Sequence, residues 1–239
     1  MTKKVSPLKQ YIKSSRSIHY SLILVLPVLA IYEAGVFFLF RDSFFEMRNT
    51  GEVLIRSFFT RINLSNPYII SGILLLVFMA VMIRGYRIEK KPGVHANFLV
   101  YMLIESMFWG STLYITLHLF AEIPLQMMTL EDKMANMNLA IGAGIFEELI
   151  FRMVIITAIF IVLQQGVGVS ENASKITSIL LAAIIFAGFH LFMETFSPNV
   201  FAQRVFGGLF LGVLYTFRGY GISAYAHIIY NFLILADTW

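Results

Sequence analysis

An all-α, multi-pass transmembrane helical bundle of about seven spans is the fold class that this sequence predicts, and three observations predict it. Of the 239 residues, 58% are hydrophobic and only 13% are charged, where an ordinary soluble domain carries about 25% charged residues. The mean hydropathy is +0.77. Apolar stretches near the 20 residues needed to cross a hydrocarbon core recur along the chain. A soluble globular enzyme is thereby excluded. Cysteine is absent, which excludes disulfides, thiol catalysis, Zn–Cys sites and iron–sulfur clusters. The net charge of +4 does not indicate a nucleic-acid partner, because the basic residues sit where a membrane protein needs them.

The expected spans are 19–40, 67–83, 96–120, 139–163, 177–196, 200–217 and 221–236. The first follows a basic start, yet its 22-residue run exceeds a signal core and lacks an A-x-A-like cleavage site. It reads as a retained span whose Pro27 a membrane helix tolerates. Between the first two spans, Leu54, Ile55, Phe58, Phe59 and Ile62 share one helical face, with Glu52, Arg56, Thr60 and Arg61 mostly opposite. This pattern fits an interfacial amphipathic helix on the outer leaflet, and equally a short connecting helix packed on the spans. The last two spans are separated only by Arg218-Gly219-Tyr220-Gly221 and read as a tight helical hairpin. The organisation expected is one integral unit, with an N-terminal part over 1–138 and a C-terminal helical core over 139–239.

Basic residues set the orientation. Lys3, Lys4, Lys9, Lys13 and Arg16 precede the first span, and Arg84, Arg87, Lys90 and Lys91 follow the second with one acid, Glu89. The stretch 121–138 is acidic, with Glu122, Glu131 and Asp132 against Lys133. These place the N-terminus in the cytoplasm and the chain in the cell membrane, with lipid as its surroundings. The segment 41–66, with four basic and three acidic residues on the outer side, is the exception.

Charges inside spans carry the chemical information. The fourth span holds Glu147, Glu148 and Arg152; at about 3 kcal/mol each these cost roughly 9 kcal/mol, and its fifteen Leu, Ile, Phe and Val residues return about 5–9 kcal/mol. Such a helix must face protein or a wet cavity, with its charges paired. Glu148 and Arg152, at i and i+4, share a face and can pair. Glu147 lies about 140° from Arg152 and is left free of it. The fifth span carries His190 near its middle, and the last carries His227 and Asn231, again at i and i+4. Counting helical rise puts all of these near mid-depth, where one cluster can form. Glu33, Glu105 and Arg204 read as structural, with either acid pairing with Arg204 or sitting at a helix end in water. His19, His95 and His118 fall at or near span ends. Gly208 and Gly212 form a small-xxx-small pattern that favours close helix contact.

A free carboxylate, two imidazoles and an amide around a water are the parts of a hydrolase. Glu147 can take a proton from the water, and His190 can orient that water or carry the proton to the leaving amine. His227 and Asn231 can donate hydrogen bonds to the oxyanion. Glu147, His190 and His227 also make a conceivable His₂Glu zinc set, but without an H-E-x-x-H helix a metal-free reading is favoured and no cofactor is expected. Two other classes compete: a proton-coupled transporter that uses both glutamates as relays, and a non-catalytic membrane protein that binds peptide in the same cavity. The transporter reading lacks the paired repeats with broken helices such folds commonly show.

Glu147-Glu148-Leu-Ile-Phe-Arg152 resembles an E-E-x-x-x-R motif, Phe186 to His190 an F-x-x-x-H motif, and His227 to Asn231 an H-x-x-x-[ND] motif. In this order on consecutive apolar spans, over roughly 139–236, they resemble the CPBP intramembrane proteases, which include the type II CAAX prenyl endopeptidases and bacteriocin-processing or immunity proteins. The resemblance implies an intramembrane endopeptidase using a glutamate-activated water on a membrane-associated peptide or protein. It implies Glu147 and His190 as the water-activating pair, His227 and Asn231 as oxyanion stabilisers, and Glu148 and Arg152 as supporting residues. The CAAX enzymes are similar to an eight-span design, one span more than is counted here.

Overall fold

In a computed structural model of the chain, residues 6–39, 48–64, 66–88, 93–120, 130–192 and 196–237 are described. Lys3, Lys4, Glu89, Lys90, Lys91 and Glu122, which enter the orientation reading, lie outside the described residues. Among these, all regular structure is helical. In chain order come α1 (Pro7–Ser15), α2 (Ile18–Leu39), α3 (Thr50–Arg61), α4 (Pro67–Ile88) and α5 (Ala96–Phe120). α6 (Leu130–Gly142) runs directly into a π-helical stretch, Ala143–Ile156, then α7 (Thr157–Ile161) and a second π-helical stretch, Val162–Val167. α8 (Glu171–Phe189) ends in a 3₁₀ turn, His190–Phe192, before α9 (Pro198–Arg218) and α10 (Tyr220–Ala236).

Four helices, α2, α5, α8 and α9, are long and apolar enough to cross a membrane, and Ile69–Val81 and Tyr220–Ala236 are shorter apolar helices. Together with the helical run through 139–163, they account for the seven apolar stretches of the sequence. Pro27 lies inside α2, which continues through it. The hairpin between α9 and α10 turns at Gly219, whose φ of 85° favours glycine. A Cβ there would also meet Arg16 Cα at 3.0 Å.

α10 sits at the centre because its first half is small. Tyr220, Ala224 and Ile228 join Leu22, Tyr32, Ile145 and Phe146 in one buried cluster, and Ile222 and Ala226 join Tyr20, Met102, Leu113 and Leu211 in another. The π-helical stretch lies hard against α10, where a Cβ on Gly144 would fall 2.3 Å from Ile228 Cγ1 and 2.7 Å from the Ala224 carbonyl oxygen. Gly144→Ala is therefore expected to destabilise the detergent-solubilised protein by about 1–3 kcal/mol, the usual cost of overpacking. Thermal unfolding checks this, and an unchanged midpoint would contradict it. Gly208 and Gly212 face α8 as their spacing predicts: a Cβ on Gly208 would lie 3.1 Å from Ala183 Cα, and one on Gly212 3.0 Å from Ile179 Cγ2.

α3 turns its polar side inward. Glu52 and Arg56 are buried, whereas Phe58 and Ile62 are 63% and 58% exposed. Glu52 bonds Arg48, accepts from Arg56 Nε at 2.5 Å and takes the Tyr32 hydroxyl at 2.5 Å. Glu33 lies 3.5 Å from Arg48 Nη1 and accepts from Ser71 Oγ at 3.3 Å. The expected pairing of Glu33 or Glu105 with Arg204 is thus corrected. Glu33 turns to Arg48 and Arg56, while Glu105 takes Arg218 at 2.5 and 2.7 Å. Glu105 also accepts the Tyr11 hydroxyl at 2.6 Å. Burial and this carboxylate push the Tyr11 hydroxyl well above its ordinary range, so it stays a donor.

Candidate active site

Glu148 is the polar centre of the bundle. It is fully buried and has Arg152 Nη1 at 3.3 Å from its Oε1, the contact that the i, i+4 spacing predicts. Its Oε2 accepts the Ser223 hydroxyl at 2.6 Å, and its Oε1 lies 2.9 Å from His227 Nδ1. One carboxylate therefore ties the π-helical stretch to α10. Because a carboxylate only accepts, His227 must carry its proton on Nδ1 here, which leaves Nε2 as the ring's other polar atom. The Arg152 guanidinium also stacks on the Phe186 ring, 4.6 Å from its centroid.

Glu147 turns elsewhere. It too is buried, but Asn49 Nδ2 donates to its Oε1 at 3.2 Å. The same Asn49 caps α3 by accepting from Gly51 N at 2.8 Å, and its own N–H donates to the Tyr32 hydroxyl oxygen at 3.2 Å. The N-terminus of α3 thus seats directly on Glu147. A Cβ on Gly51 would lie 3.0 Å from Glu147 N and 3.1 Å from Glu147 Cγ, so this approach depends on glycine. Sequence reasoning missed Asn49. The available signal was Asn49-Thr50-Gly51-Glu52 before an amphipathic pattern, a helix N-cap signature.

Glu147, His190, His227 and Asn231 line one cavity of about 300 Å³, between the π-helical stretch, α8, α9 and α10. His190 Nδ1 lies 2.9 Å from the Phe186 carbonyl oxygen. A carbonyl can only accept, so that nitrogen is the donor and Nε2 holds the ring's lone pair in the neutral form. The Phe186 ring stands edge-on to both imidazoles, with centroids 4.8 Å from His190 and 6.5 Å from His227. One ring thus spaces the two histidines and covers Arg152. The Asn231 amide makes no hydrogen bond among the described residues, although it lines the cavity. Gln203 and Arg204 of α9 and Tyr230 of α10 complete the polar part of the wall, so Arg204 belongs to this cavity.

His190 is not at the middle of its helix. α8 begins at Glu171 and His190 is its C-cap. Ser170 and Glu171 start the helix ahead of the apolar run, which moves the histidine to its far end. The carboxylate and the imidazoles still line one cavity. Among the described residues, no group of three His, Asp or Glu side chains could hold a metal ion. Glu147, His190 and His227 share a cavity without forming such a group.

Residues 134–233 match a protein-family model described as Rce1-like, type II CAAX prenyl endopeptidase Rce1-like. The match spans α6 to α10 and includes every residue of the three motifs, in keeping with the resemblance to the CPBP and CAAX proteases. No curated protein and no solved structure matches the chain.

Proposed function

We propose that this membrane protein, whose residues 134–233 carry the type II CAAX endopeptidase pattern, hydrolyses a peptide bond of a membrane-associated peptide or protein with a water activated by Glu147. The observation that carries the reading is the single cavity that gathers Glu147, His190, His227 and Asn231 inside an apolar bundle. Glu148 is unsuited to be the base because Ser223, His227 and Arg152 already occupy it. Glu147 has one oxygen held by Asn49, and its other oxygen has no partner among the described residues.

The water gives a proton to Glu147 as its oxygen attacks the carbonyl carbon, and a C–O bond forms while the carbonyl oxygen becomes an oxyanion. His190 Nε2 orients the water through its lone pair. His227 Nε2, which must carry a proton in this step while Nδ1 stays on Glu148, and the Asn231 amide donate to the oxyanion. The C–N bond then breaks, and the proton held by Glu147 passes to the leaving amine, directly or through His190. The residues at hand supply each step without a metal.

Product mass spectrometry on membranes containing the wild-type chain tests the reading. The expected result is two fragments whose masses sum to the peptide plus one water. Flux of an intact solute driven by a pH gradient, without fragments, would replace it with a transporter.

Asn49 is a positioning residue under this reading. Asn49→Ala is expected to lower kcat about 10–100-fold, the worth of a hydrogen bond to a charged group, with KM little changed. Asn49→Asp, which sets a like charge beside Glu147, is expected to shift the acidic limb of the pH–rate profile upward. Equal kcat and an unmoved profile in both variants would remove Asn49 from the mechanism.

A further inference from the structure

A second cavity lies apart from the one that holds the glutamate. A space of about 630 Å³ lies at the opposite end of the bundle, between α2, α4, the π-helical stretch with α7, α8 and α9. Its walls are mostly apolar, with Val81, Ile156 and Phe160 among them, and among the described residues its charged lining is Arg16, Arg84 and Lys175, with no acid. The three cations come from the turn between α1 and α2, the end of α4 and the start of α8, so antiparallel packing brings them to one level.

Their occupancy differs. Arg16 Nη2 donates to the Thr216 carbonyl at 3.2 Å, which orients the guanidinium and leaves further donors. Lys175 is paired with Glu171 at 2.5 Å on the exposed side of α8. Arg84 has no hydrogen bond or ion pair among the described residues. Charge at the rim and hydrocarbon below match an amphiphile with an anionic head. Basic pockets at the ends of membrane helices bind anionic headgroups in this way, and a chain of apolar wall suits the first methylenes of the acyl tails.

We propose that this cavity binds one anionic phospholipid, its phosphate held by Arg16, Arg84 and Lys175 and its chains against Val81, Ile156 and Phe160. The site is separate from the Glu147 cavity and does not rest on the hydrolase reading. It would give the α4–α8 opening a lipid filling and make the bundle sensitive to membrane composition.

Native mass spectrometry of the full chain, delipidated in detergent and titrated with phosphatidylglycerol, phosphatidylcholine or inorganic phosphate, tests the proposal. One phosphatidylglycerol is expected to bind at least tenfold more tightly than phosphatidylcholine. Arg84→Gln combined with Lys175→Gln is expected to weaken phosphatidylglycerol about 25-fold, about fivefold for each cation lost, and to leave phosphatidylcholine unchanged. Arg84→Lys, with Lys175 intact, is expected to retain most of the affinity, and wild-type-like thermal unfolding of all variants shows that the fold is kept. Equal binding of the two lipids, or undiminished phosphatidylglycerol binding in the double variant, would overturn the proposal. Inorganic phosphate competing fully with the lipid would overturn it in favour of a free-anion site.

Discussion

Replacing Glu147 with glutamine is expected to abolish measurable cleavage while leaving the protein inserted and folded. The change is close to isosteric, and the new amide oxygen can still accept from Asn49 Nδ2, which stands 3.2 Å from the present carboxylate. Cavity shape and the seat of α3 are therefore kept. What disappears is the group that removes the proton from water, a contribution of about 10²–10⁴-fold for a positioned base, or roughly 3–5 kcal/mol in the barrier. Loss of a negative charge from the cavity also removes part of the attraction for the Arg152 side of the network, so a small loss of stability accompanies the change. His190→Ala is expected to fall as far, since the water then lacks its second anchor. Asn231→Ala, which removes one oxyanion donor, is expected to fall about 10²–10³-fold. Cleavage rates on a fluorogenic membrane peptide, read beside thermal unfolding, check the set. A Glu147→Gln protein that cleaves at the wild-type rate would end the water-activation reading outright.

The helical bundle was legible because lipid imposes a length and an apolar composition on each span, and those are sequence properties. The Glu148–Arg152 contact was legible for a similar reason, since residues four apart meet on a helix whatever surrounds it. His227 and Asn231 line the same cavity on the same logic. Long-range partners were not legible. Asn49 reaches Glu147 across 98 residues of chain, and no periodicity announces which helix cap will dock where. Arg48 and Arg56 take Glu33 because α3 folds polar side inward. In a soluble protein that face would be wet. Beside lipid the apolar face is the one that tolerates exposure, so Phe58 and Ile62 stay outside while Glu52 and Arg56 are buried. The π-helical hydrogen bonding over Ala143–Ile156 was also hidden, because its i to i+5 pattern has no residue signature. It matters to the site, since this stretch carries both glutamates and Arg152, and the Tyr220 hydroxyl donates to its Ile145 carbonyl at 2.9 Å.

Substituting Glu148 is expected to give the largest loss of stability in the protein, and a double substitution separates its two tasks. With Glu148→Met, Arg152 keeps the Phe186 ring but loses its carboxylate in a site where it is almost wholly buried. Breaking a buried ion pair on one side costs about 3–5 kcal/mol. His227 Nδ1 loses its acceptor at the same time, while the Ser223 hydroxyl retains the Leu211 carbonyl at 3.3 Å. Adding Arg152→Met removes the orphaned charge, and apolar replacement of a whole buried pair is often neutral or stabilising. The double variant is therefore expected to recover most of the lost unfolding temperature. Cleavage is expected to stay absent, because His227 Nδ1 no longer has a carboxylate to orient the ring, and its Nε2 ceases to be aimed at the oxyanion. Thermal unfolding and peptide cleavage measured on wild type, both single variants and the double variant decide the matter. Recovery of stability without activity assigns Glu148 a positioning part in the chemistry. Recovery of both would show that the pair serves the fold alone, and a double variant as unstable as Glu148→Met would show that the uncompensated guanidinium was not the cause of the loss.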